Sequence, residues 1–246
     1  MSTDYSLQNL SSLVIADISV TSVRKYEDAP PESGLPVEVK ELFAQRTIQF
    51  LRAVHNVKDL WLSYLSLEFA SCALGKLDGK LPLYHNLKRM KLQTSLSTDS
   101  LSAIAYLLNI TPNIESMDIH IMQHDIARTK EKFFHKPAVC AYIDQVNSAD
   151  VQSYCQTKLS LPSMLYSLNL KYVKIFGAQG LVSELILLAL LLKNSVALEQ
   201  AVVESCTRRE SNPDLSKRRM KKFSEMLLKL PRAAATISIL FNNYQI

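Results

Sequence analysis

Leu87-Lys88-Arg89-Met90-Lys91-Leu92 and, 27 residues on, Ile114-Glu115-Ser116-Met117-Asp118-Ile119 share one pattern: apolar, two variable, apolar, one variable, apolar. The second half of each reads as a short strand with period-two alternation. Its apolar residues face one way and the variable ones the other. The pattern also stands at Val57-x-x-Leu60-x-Leu62, with 30 residues from Leu60 to Met90. It returns at Leu170-x-x-Val173-x-Ile175 and at Leu198-x-x-Ala201-x-Val203, with 28 residues from Val173 to Ala201. Leu10-x-x-Leu13-x-Ile15 reads as an earlier copy and Ile237-Ser238-Ile239 as a degenerate last strand.

A chain that leaves one strand and re-enters parallel to it needs a crossover of a dozen or more residues, and these spacings provide it. The period lies near the top of the range for leucine-rich repeats, about 20–29 residues. Several crossovers read as helices. Thr98-Asp99 offers a cap before Leu101, Ile104, Leu107 and Leu108, and Thr111-Pro112 stops that helix. Val39, Leu42, Phe43, Ile48, Phe50 and Leu51 suggest a longer helix before the second strand. Gly180 precedes an apolar helix from Leu181 to Leu192. Asp214 starts one that holds Leu215, Phe223, Leu227 and Leu230, ended by Pro231. The expected fold is α/β: a leucine-rich-repeat solenoid arc of short parallel strands with helical crossovers.

Two gaps break the period. Leu13 to Leu60 contains the loop-forming run Ala29-Pro30-Pro31-Glu32-Ser33-Gly34. Met117 to Val173 spans 56 residues, twice 28, so it holds either an exposed insertion around Thr129–Lys132 and Asn147–Asp150 or one degenerate repeat. The division expected from this is a repeat region at 1–122, an insertion or linker at 123–159 and a second unit at 160–246.

Composition narrows the function classes. Apolar residues make up 48% of the chain and charged residues 21%, enough to bury a core and too apolar for disorder over most of the length. With 5 Gly in the whole chain there is little material for a phosphate-cradling loop. The four cysteines, Cys72, Cys140, Cys155 and Cys206, fit no CxxC motif and read as reduced thiols, which suggests a cytoplasmic or nuclear setting. The polar N-terminus has no signal-peptide pattern, and the longest apolar run, Leu185–Leu192, is far short of the roughly 20 residues of a membrane span. No cofactor, metal, nucleic acid or membrane partner is expected.

The stretch from Leu168 to Gly180, Leu-Asn-Leu-Lys-Tyr-Val-Lys-Ile-Phe-Gly-Ala-Gln-Gly, resembles the opening of the FBD domain of plant F-box proteins. The likeness continues through Glu184-Leu185, Leu191-Leu192-Lys193-Asn194, Leu198-Glu199, the basic segment Lys217–Phe223 and the closing Leu230-Pro231-Arg232-Ala233. Upstream, Phe50–Val57 and Pro82–Lys88 resemble the repeat region of the same family. The resemblance implies an FBD unit at 160–246 that continues or caps the repeat sheet. It also implies protein binding, with substrate recognition for an SCF-type ubiquitin ligase as the role. Members carry an F-box that docks an Skp1-type adaptor. Here Leu35-Pro36-Val37-Glu38 resembles an F-box start, but the Arg-Trp type ending is absent, so adaptor binding is not expected from these residues. A degenerate relative that competes with intact members is the alternative within this class.

The variable positions beside the inward residues define the candidate surface. They are Asp59, Trp61, Arg89, Lys91, Asp118, His120, Lys174, Phe176 and Gln200, on the concave face of the arc. Trp61 is the single tryptophan, and Trp and Arg are frequent interface anchors. The bland account of Trp61 is a side chain packed against a loop. The basic run Lys217–Lys222 is either a site for anionic partners or the solvated side of an amphipathic helix with Met220 and Phe223 turned in. An enzyme of the hydrolase or metal type would have to use His120, His124 and a cysteine. No motif supports this, because a four-residue spacing brings two imidazoles together on a helix and His120 falls on a strand.

Overall fold

The computed structural model describes residues 10–20, 36–74, 81–122, 143, 169–206, 213–234 and 236–244. Seven strands form one sheet: β1 (Ile15–Ile18), β2 (Asp59–Leu62), β3 (Arg89–Thr94), β4 (Ser116–Ile121), β5 (Tyr172–Ala178), β6 (Gln200–Cys206) and β7 (Ser238–Tyr244). Every neighbouring pair is parallel, and the strands lie in chain order from β1 to β7. Five helices lie between them among the described residues: α1 (Val37–Ala53), α2 (Tyr64–Leu74), α3 (Thr98–Asn109), α4 (Val182–Asn194) and α5 (Pro213–Leu228). The α/β class expected from the sequence is therefore present.

The apolar triplets set the register. Leu60, Met90, Met117, Val173 and Ala201 are cross-strand partners, and so are Leu62, Leu92, Ile119, Ile175 and Val203. The first residues of the triplets, Val57, Leu87, Ile114, Leu170 and Leu198, are also buried. Just before each of β1 to β5 one carbonyl accepts two amides at the entry to the next strand. Lys58 O takes Lys88 N at 2.8 Å and Arg89 N at 3.0 Å; Glu115 O takes Lys171 N at 2.8 Å and Tyr172 N at 3.1 Å. The same bond pattern from strand to strand is what equal entry geometry into equivalent strands requires.

The first triplet is corrected by three residues. Leu10–Ser12 is a short 3-10 turn, and Ala16, not Leu13, pairs with Leu60. Ile15 is 62% exposed while Ala16 is buried, so the true copy is Leu13-x-x-Ala16-x-Ile18. No strand lies between β4 and β5, which are hydrogen-bonded neighbours with Met117 opposite Val173. The sheet thus runs from the 1–122 region directly into the 160–246 region. The runs 129–132 and 147–150 lie outside the described residues, as do the loop at 29–34 and Leu35 of the F-box-like start.

The inward face and the helices share one core. Eleven consecutive residues of α4, Val182 to Leu192, are buried, so this apolar helix is core. The helix before β2 runs as expected, and α3 is capped by Ser97, one residue ahead of the expected Thr98; its Oγ accepts from Ser100 N at 3.1 Å. In α5, Met220, Phe223 and Leu227 are buried, but Leu215 is exposed. Tyr84 donates its hydroxyl to Leu51 O at 2.6 Å and its amide to Ile110 O at 2.8 Å, tying the ends of α1 and α3 together.

Two buried carboxylates hold the turns at the C-terminal end of the sheet. Glu184 in the first turn of α4 accepts the amides of Gln179 (2.8 Å), Gly180 (2.9 Å) and Leu181 (3.1 Å). Burial pushes its pKa up to about 7, against those three amides and nearby Arg219, which favour the charged form. Glu68 of α2 accepts from Ser95 and Ser97, and burial raises it to about 7 as well. Glycine is required twice here. Gly177 (φ 81°) forms the irregularity that ends β5, and a Cβ there would lie 2.9 Å from Ile121 O. At Gly180 (φ 76°) a Cβ would meet Arg219 Cγ at 2.8 Å.

Candidate functional site: the outward face of the sheet

Period-two alternation turns the other side chains of β2–β6 away from the core, and the parallel register aligns them in rows. All nine residues expected on the recognition face lie in these rows. Asp59, Arg89 and Gln200 share the first row with Ser116 and Tyr172. Trp61, Lys91, Asp118 and Lys174 form the second, continued by Val202. His120 and Phe176 belong to the third, between Gln93 and Glu204. The sequence reading missed Ser116, Tyr172, Val202, Gln93 and Glu204. Carrying the alternation one residue past each triplet finds Gln93 and Glu204, and reading the first row across every strand finds Ser116 and Tyr172.

The face is pre-organised by contacts among its own members. Arg89 forks onto Asp59, with Nε–Oδ1 at 2.5 Å and Nη2–Oδ2 at 2.8 Å. The hydrogen bond from Arg89 is the main cause holding Asp59 below the usual carboxylate range; partial burial opposes it. Tyr172 donates its hydroxyl to Glu199 at 2.7 Å, which raises the phenol's pKa. Lys88 meets Glu115 at 2.7 Å on the lower rim. Lys91 Nζ lies 4.8 Å from the Trp61 ring centroid.

Around β4 and β5 the aromatic groups concentrate. His120 and Phe176 stack with centroids 4.3 Å apart and an 18° interplanar angle. Lys174 Nζ lies 4.4 Å from the Phe176 centroid and 2.7 Å from Glu204 Oε1. Burial lowers the pKa of His120, and Lys91 and Lys174 lower it further against Asp118 and Glu204. The imidazole is therefore mostly neutral at pH 7 and behaves as a flat, weakly polar surface. Stacked aromatics and ammonium groups over rings contribute about 0.5–2 kcal/mol each, enough to fix the side-chain positions before a ligand arrives.

The remaining sequence candidates fall elsewhere. Lys217, Arg218 and Lys221 are exposed along α5, while Arg219 is buried beside Gly180. This matches the solvated side of an amphipathic helix, with Met220 and Phe223 inside. His124, Cys140 and Cys155 lie outside the described residues. Cys72 is on α2 and is not in a disulfide. Among the described residues no group of three His, Cys, Asp or Glu side chains is placed to hold a metal ion, and no helix is long and apolar enough to cross a membrane. Compared with known proteins, the chain matches no family model, no curated protein and no solved structure.

Proposed function

We propose that this chain is a non-enzymatic protein-recognition module: a leucine-rich-repeat arc of the F-box/FBD type that binds its partner on the outward face of the sheet. The observation that carries the proposal is the alignment of chemically varied side chains, row by row, on one face of a single parallel sheet whose other face is mainly apolar. Strand order equal to chain order, register through five apolar triplets and a recurrent bond pattern at each strand entry support the repeat-solenoid description. Trp61, Arg89, Tyr172 and Phe176 are residue types that dominate binding energy at protein interfaces.

In this proposal the partner is a protein, and by the family resemblance a ubiquitination substrate. Docking to an Skp1-type adaptor would need an F-box, which Leu35-Pro36-Val37-Glu38 resembles only at its start. The test is affinity purification from plant tissue with wild type and a Trp61→Ala/Lys91→Ala variant, with bound proteins identified and the variant's fold checked by circular dichroism. Wild type should retain a partner that the variant loses. Retention of every partner by the variant refutes the face. Recovery of an Skp1-type adaptor with both proteins places the chain inside a ligase, and its absence from both favours a competing relative without adaptor binding.

A further inference from the structure

Asp118 stands at the centre of the second row, opposite Lys91 of β3 on one side and Lys174 of β5 on the other. Neither lysine takes its carboxylate. Lys91 leans onto the Trp61 ring; Lys174 leans onto Phe176 and ion-pairs with Glu204. The preference is physically sound. An ammonium over an aromatic face gains at least as much as an exposed ion pair, which water and salt screen. Lys174 obtains both on its far side. Asp118 is left without an ion pair or side-chain hydrogen bond among the described residues. Lys91 likewise has the indole face and, among the described residues, no carboxylate at ion-pair distance.

His120 follows Asp118 by two residues on the same face of β4, so its ring lies roughly 7 Å along the strand. It is stacked on Phe176 and mostly neutral at pH 7. An open carboxylate beside an uncharged aromatic pair fits one side chain best. A guanidinium is planar, bonds a carboxylate through two N–H groups and stacks on aromatic faces, while an ammonium satisfies the carboxylate alone. Lys91, held by Trp61 one strand spacing (~5 Å) away, presents an ammonium to an acid.

We infer that the centre of the outward face reads a polypeptide segment that presents an arginine to Asp118 and an acidic residue to Lys91. This rests on the recognition role proposed above and specifies the chemistry of its partner. The pairs Arg89–Asp59 and Lys174–Glu204 are internally neutralised, which leaves Lys91 and Asp118 as the charges at the centre of the face, with Asp17 beyond Trp61 at its β1 edge.

The test pans a phage-displayed random dodecapeptide library on the full chain and on three variants: Asp118→Lys, Lys91→Glu and Trp61→Ala/Phe176→Ala. Wild type should enrich peptides that pair an arginine with an acidic residue at constant spacing. In synthetic versions of these peptides, replacing that arginine by lysine should weaken binding about tenfold. Asp118→Lys should lose the arginine preference, and Lys91→Glu should exchange the acid for a basic residue. Peptides that depend on Trp61 and Phe176 but show no arginine preference, or that bind Asp118→Lys as well as wild type, overturn the inference and leave the recognition face standing. Failure to enrich any peptide sensitive to the Trp61/Phe176 variant overturns both.

Discussion

The two faces of the same strands are built to opposite rules. On the inward face Leu60, Met90, Met117 and Val173 occupy equivalent positions, and all are apolar and nearly inaccessible. On the outward face the equivalent row reads Trp61, Lys91, Asp118, Lys174: an aromatic, two cations and an anion. The backbone is common to both, so the difference lies in what each side chain is required to do. An inward residue must fill a fixed space between the sheet and the helices. An outward residue has only to be held by its row neighbours, which leaves its chemistry open to specify a partner.

The largest expected effect separates the faces by stability. Ile119→Ala empties a fully buried site and should cost about 2–5 kcal/mol in urea unfolding, while its outward neighbour Asp118→Ala should change stability by about 0.5 kcal/mol or less. Similar losses at both positions would break the comparison. Next is the buried carboxylate of Glu184. Its folded-state pKa is raised from the ordinary 4.5 to about 7, so the stabilisation it gives is complete below pH 4.5 and disappears as pH rises through 7. The stability of wild type relative to Glu184→Gln should therefore fall by roughly 3 kcal/mol between pH 4.5 and pH 8; a pH-independent difference would show that the three amides fully offset the burial. Gly180→Ala, at φ 76° and against Arg219, should destabilise by about 1–2 kcal/mol in the same assay. The smallest effect belongs to the outward face. A double-mutant cycle on Lys174 and Glu204 should return a coupling of about 0.2–1 kcal/mol, reduced at high salt.

Much of this division was legible in the sequence, because period-two alternation fixes both faces once the register is known. The triplets at Leu60, Met90, Met117, Val173 and Ala201 supplied that register, and the nine outward positions followed from it. The first strand escaped because Leu13-x-x-Ala16-x-Ile18 overlaps the more apolar Leu10-x-x-Leu13-x-Ile15; the bond from Lys58 N to Val14 O, a long-range contact, decides between them. The helix α2 escaped because Tyr64–Leu74 is apolar on most sides and has no clear period. The open carboxylate of Asp118 was illegible for another reason. Alternation places Lys91 and Lys174 beside it, but which way each lysine leans depends on rings and acids two strands apart.

Thiol labelling of single cysteines placed at 89, 91, 118 and 174, and separately at 90, 92, 117 and 173, tests the division of faces most directly, with each label located by peptide mass spectrometry. The account predicts rapid labelling of the folded chain at the first four positions and labelling limited by unfolding at the second four. Equal rates in the two sets, or an alternation of the opposite phase, would contradict it.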